Sequence, residues 1–177
     1  CGHVEILLLR MIKLEIENFK ENKKELLRLY KETPEAKVKQ NSVLKTDSVL
    51  EKNVPRYYSN FFFNTVMSNT LIKFTSNSRH QKAEVLRFYK TSLFKDSYIE
   101  WHVSSDQGQY ECIAAVDTKA ININYNDSTV CENKSLELLE GQVVFIPTHV
   151  PRAIEKVKTN TKLIIFYLNI HEYIHKK

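Results

Sequence analysis

The chain has 177 residues with 42% hydrophobic and 27% charged side chains, enough apolar material for one ordinary domain and too much for a disordered, collagen-like or mucin-like chain. Its net charge of +5 comes from 26 basic and 21 acidic residues that are interspersed, which argues against a nucleic-acid partner. No apolar run approaches the roughly 18 to 20 residues that cross a bilayer. The three cysteines, Cys1, Cys112 and Cys131, fit neither a disulfide framework nor a CxxC site, so no membrane contact and a cytoplasmic location are expected.

In chain order, residues 1–10 read as an extension ahead of Met11. From Met11 to Glu32, Ile12, Ile16, Phe19, Leu26, Leu27 and Tyr30 recur at helical spacing, which predicts one amphipathic helix. The Thr33-Pro34 pair ends it, because proline cannot continue the hydrogen-bond ladder. The polar stretch after this pair reads as a linker with room for one short element. Tyr57 to Phe74 is the most aromatic part of the chain, and its length favours a helix over two strands. Residues 11–78 are thus expected to form a helical segment packed on the C-terminal half of the chain.

After Arg79 the texture changes to short β-rich runs divided by polar breakers: VLRFYKT, SYIEWHV, YECIAAV, KAININY, LELL, QVVFIP, RAIEKV and KLIIFYL. Eight such runs predict a sandwich or barrel over residues 79–170, with a polar tail at 171–177.

The most specific string is Leu138-Leu139-Glu140-Gly141-Gln142-Val143-Val144-Phe145-Ile146-Pro147. It resembles the second signature of the cupin superfamily, where a glycine turn leads into an apolar strand that ends at a proline. Glu111, six residues before Asp117-Thr118, resembles the end of the first signature. The resemblance implies a mainly β fold, a single antiparallel cupin-type barrel with an N-terminal α-helical segment. Within the cupins, Val85 to Thr91, Tyr110 to Ile121 and Phe145 to Arg152 with Lys162 to Ile165 are similar to the YhcH/YjgK/YiaL family, which includes a sialic acid anomerase. That likeness implies a sugar or sugar-acid ligand, an isomerase activity, one divalent metal (zinc, iron or manganese) or none, and a homodimer.

The departures from the family are specific. Pro151 and Gln107 stand where the family has metal-binding histidines, and the late histidine of the general cupin pattern falls on Arg152. Only Glu111 keeps its place, so the resemblance implies a metal site lost or rebuilt.

Strand alternation adds candidates of its own. Glu100 and His102 share one face of a predicted strand, and Glu111 shares a face of the next with Ile113 and Ala115. With those faces inward, Glu100, His102 and Glu111 form a pocket, Glu111 and His102 can supply an acid and a base, and His149 past Pro147 can complete a metal set with them. With the apolar faces inward, the same side chains are wet. Arg87, Tyr89, Lys119 and Arg152 are candidates for holding an anionic group of a ligand, and His80 aligns with a basic position of the family. Two rival functions stand beside the anomerase: a catalytically inactive cupin that binds or docks, and an Fe(II) dioxygenase of the JmjC-like kind. The last needs His-x-Asp/Glu plus a distal histidine, and Arg152 occupies the nearest late position.

Overall fold

The computed structural model describes residues 10–32, 38–40, 43–45, 56–75, 81–104 and 108–172. The expectations for residues 1–9, Thr33-Pro34, Arg79, His80, Gln107 and the tail from Tyr173 lie outside them. All eight predicted β runs are strands: β4 (Gln81–Leu93), β5 (Ile99–His102), β6 (Tyr110–Asp117), β7 (Ala120–Asp127), β8 (Glu132–Leu139), β9 (Gln142–Pro147), β10 (Arg152–Ile154) and β11 (Thr161–Glu172). The chain shuttles between two antiparallel sheets as it adds them. With three earlier strands, β1 (Ile12–Glu15), β2 (Val38–Gln40) and β3 (Val43–Lys45), the larger has the order β1-β9-β6-β11-β4-β3-β2 and the smaller β5-β10-β7-β8. The result is a jelly-roll double-stranded β-helix made of two facing sheets.

The N-terminal region differs from its expected single helix. Ile12–Glu15 forms strand β1, paired with β9 from Ile12 opposite Phe145 to Glu15 opposite Gln142, and helix α1 begins only at Phe19 (Phe19–Glu32). Ile12 and Ile16 fit a helix, but Ile12, Leu14 and Ile16 alternate as a strand does, and the available edge of β9 decides between them. The linker contributes a short hairpin, β2 (Val38–Gln40) and β3 (Val43–Lys45), that extends the large sheet beyond β4. The aromatic stretch is helical as expected: α2 (Arg56–Asn60), a π-helical segment (Phe61–Val66) and α3 (Ser68–Phe74).

These helices cover the outer face of the large sheet, which is why β6 is buried on both sides. Tyr110, Cys112, Ala114 and Val116 point to the helices, while Glu111, Ile113 and Ala115 point between the sheets. Phe62 and Phe63 pack edge-on or tilted against Phe88 and Phe166, and Phe74 stacks on Phe145 with ring centres 3.8 Å apart. Lys90, buried on the same outer face, donates to the Tyr30 carbonyl and lies over the Tyr30 ring.

The glycine of the signature string does what a turn requires. Gly141 has φ +83°, its N–H donates to the Ala115 carbonyl at 2.9 Å, and a β-carbon there would lie 3.0 Å from the Phe19 ring. Pro147 closes β9, as the string predicts. Among the described residues no helix is long and apolar enough to cross a membrane.

Candidate functional site

Strand register assembles the site at one end of the β-helix. Arg152 opens β10 opposite both His102 at the end of β5 and Tyr125 on β7; Tyr167 on β11 lies opposite both Glu111 on β6 and Arg87 on β4. Residues directly opposite in antiparallel strands share a face. Arg152, Glu111, Tyr167, Tyr89 and Arg87 therefore all project between the sheets at this mouth. Below them the interior is filled by side chains that include Leu93, Ile113, Ile123, Val144, Ile154 and Leu163, all buried.

At the mouth an ion pair bridges the two sheets. Arg152 Nη2 lies 2.7 Å from Glu111 Oε2, with Arg152 1% and Glu111 5% exposed. The same carboxylate oxygen accepts from the Tyr167 hydroxyl at 2.6 Å and the Ser104 hydroxyl at 2.8 Å. Arg152 also donates through Nη1 to the carbonyls of Thr148 and Val150, and through Nη2 to Ser104. Its Nε has no partner among the described residues. Burial pushes the Glu111 carboxyl up, but the Arg152 charge and the hydrogen bonds from Tyr167, Ser104 and Arg152 outweigh it and hold the group below its ordinary value. Burial, then the adjacent Glu111 charge, pushes the Tyr167 hydroxyl up. A second polar pair, Arg87 Nη1 to the Tyr89 hydroxyl at 3.0 Å, adjoins this cluster where the Tyr89 and Tyr167 rings meet edge to face.

The expected site residues divide accordingly. Glu111, Arg152, Tyr89 and Arg87 meet at the mouth. His102 is exposed on an edge strand, its Nδ1 2.8 Å from the Glu100 carbonyl, so the expected His102 and Glu111 pair has no hydrogen bond between its members. Glu100 points outward because its neighbour Ile99 faces inward, and a bulge after it puts His102 out of phase with it. Lys119 is exposed in the turn after β6, at the far end of that strand from Glu111, and His149 is exposed in the turn between β9 and β10. Among the described residues no three His, Cys, Asp or Glu side chains are grouped so as to hold a metal ion, and His102, Glu111 and His149 do not form such a group. Sequence reasoning missed Tyr167 and Ser104. Tyr167 was legible as the fourth in-facing residue of the alternation Thr161, Leu163, Ile165, Tyr167. Ser104 had no such signal.

The architecture defines the chain as a cupin-like double-stranded β-helix. Its fold is that of the 2OG-Fe(II) oxygenases. A 2OG-Fe(II) oxygenase family oxidoreductase from Burkholderia pseudomallei superposes with a TM-score of 0.72 over 90% of this chain and 84% of that one, at 11% identity. HygX from Streptomyces hygroscopicus, solved with nickel, 2-oxoglutarate and hygromycin B bound, gives 0.67 over 93% and 83%, at 7% identity. A prolyl-4-hydroxylase from Pseudomonas putida gives 0.60 over 90% and 91%, also at 7% identity. No protein-family model matches the chain, and no curated protein does.

The described residues do not fit the divalent metal that this architecture suggests. A facial triad takes two histidines and one carboxylate. Here the residue two past His102 is Ser104, and the late position opposite His102 carries the Arg152 guanidinium. That fixed positive charge repels a divalent cation and already claims the one buried carboxylate nearby.

Proposed function

We propose that this chain is a double-stranded β-helix protein of the oxygenase architecture whose metal position has become an internal ion pair, and that it works by binding a small polar ligand. The observation that carries this reading is Arg152. It is paired in register with His102 and hydrogen-bonded to Glu111 and Ser104, and so occupies the ground where three metal ligands would have to converge. The anomerase reading is less well supported. Glu111 is held in its charged form by three donors, which suits a structural anion better than a proton shuttle, and His102 faces solvent.

One observation favours a second reading, an Fe(II)-dependent oxygenase: the solved structures named above share the whole two-sheet architecture, and HygX holds nickel and 2-oxoglutarate. It would need ligands from outside the described residues, such as Asp106. Elemental analysis of the purified protein after incubation with Fe(II) under nitrogen, together with 2-oxoglutarate-dependent oxygen uptake, separates the two. Metal well below one equivalent and no uptake are expected. Stoichiometric iron with 2-oxoglutarate-dependent uptake would overturn the binding-module reading.

A further inference from the structure

The small sheet has an outer face that the ion pair does not use. Arg152 and Ile154 point between the sheets, so Ala153 between them points out, as does its register partner Asn124. On the neighbouring strand, Ile99 lies opposite Ile154 and His102 opposite Arg152, leaving Glu100 and Trp101 together against the single residue Ala153. This is a β-bulge, a device that re-aims side chains. It turns Trp101 to the surface, 49% exposed, beside Tyr98, which is 36% exposed. The small Ala153 forms the floor of an open pocket of about 660 Å3 beneath them.

We infer that this pocket binds a neutral saccharide. The negative face of an aromatic ring attracts polarised C–H groups such as those on the apolar face of a sugar ring, and Trp101 and Tyr98 both line the pocket. Besides the apolar Ile99, Ile154 and Ala153, the lining is hydrogen-bonding and mixed in sign: Glu100 and Glu155 accept, Lys156 donates, and Asn124 does both. Asn124 Nδ2 donates to Glu155 Oε1 at 2.9 Å, which orients a planar amide and a planar carboxylate side by side before any ligand arrives. An anionic ligand would meet two carboxylates, while Lys156 offsets one of them and weakens the pull on a cation. A polyhydroxylated neutral ring, with hydroxyls that both donate and accept, suits all four side chains. The volume falls in the range of roughly 300 to 1,000 Å3 typical of small-ligand sites. This assignment names the ligand of the binding module and rests on that reading.

Trp101 is the only tryptophan in the chain, so its emission reports on this pocket alone. Full-length protein is titrated with maltotriose, cellotriose and diacetylchitobiose, and in parallel with tetramethylammonium and with glucuronate. At least one neutral saccharide is expected to shift the emission saturably. By saturation-transfer NMR, Trp101→Ala and the pocket-filling Ala153→Leu are each expected to weaken that binding by about tenfold or more, with circular dichroism melts confirming that both variants fold. A saturable response to tetramethylammonium or glucuronate but to no neutral saccharide would overturn the ligand class. No response to any of the five, or binding unchanged in both variants, would overturn the site. Stoichiometric iron with 2-oxoglutarate turnover would overturn the proposed function while leaving these titrations readable, so the two failures are distinguishable.

Discussion

Replacing Arg152 with Met deletes one charge of the buried pair and keeps most of the side-chain volume. Glu111 would then stay 5% exposed with only the Tyr167 and Ser104 hydroxyls, and the Val150 carbonyl would lose its Arg152 donor, whereas Thr148 O still accepts from Ser104 N–H. Breaking a buried pair from one side costs about 3 to 5 kcal/mol, and an orphaned carbonyl adds about 1 to 3 kcal/mol. Against a total stability of roughly 5 to 15 kcal/mol that is a severe loss. Removing both partners, as in Glu111→Leu with Arg152→Met, leaves no unpaired charge and is expected to restore stability to about the wild-type level or above it.

The pH dependence of this pair has a definite sign. In the wild type the folded Glu111 carboxyl lies below its ordinary value of 4.5, so its stabilising contribution is present above that pH and is lost as pH falls through the lower folded value. In Arg152→Met burial goes unopposed by the guanidinium and pushes the carboxyl up, so the variant's deficit should be largest near pH 7 and shrink toward pH 4. Urea unfolding followed by far-UV circular dichroism at both pH values, on the wild type, both single variants and the double variant, measures all of this. An Arg152→Met loss under about 1 kcal/mol, or a double variant as unstable as the sum of the singles, would refute the claim that the pair is the energetic centre of the mouth.

Three further outcomes are expected from urea unfolding. Thr91→Val should leave stability unchanged or raise it by about 1 kcal/mol, because Thr91 is buried and its hydroxyl has no partner among the described residues. Gly141→Ala should cost about 2 kcal/mol, since a non-glycine residue must adopt φ +83° there and its methyl meets the Phe19 ring at 3.0 Å. Phe74→Ala should cost about 3 to 5 kcal/mol by removing the ring stacked on Phe145 and set edge-on to Tyr110.

The strands are legible in the sequence because each reports itself through local residues. Val143 to Ile146, bracketed by Gly141 and Pro147, can be little other than a buried strand after a tight turn. The departures at Pro151 and Arg152 likewise show in sequence that a family metal site would not survive unchanged. Phase, by contrast, is not legible. Glu111 and Glu100 each sit in an alternating β run, yet Glu111 points inward and Glu100 outward. Helices cover the outside of β6 so that both its faces are buried, and a bulge interrupts β5 so that its alternation breaks at Trp101. Neither cause lies within the strand's own residues. β1 reads as helix for the same reason, since Ile12 and Leu14 become a strand only where the β9 edge is free to receive them.

On the proposed reading, the ion pair does the joining that a metal ion would do in such a fold. In the described structure one hydrogen-bonded cluster ties Arg152 on the small sheet to Glu111 and Tyr167 on the large sheet. A divalent ion held by residues of both sheets would make that same connection. The Arg152 guanidinium joins β10 of the small sheet to β6 of the large one at the mouth, and through Glu111 to Tyr167 on β11. The outer face of the small sheet is then free to take on a separate task, because Ala153 and Trp101 project away from the pair that fixes their strands.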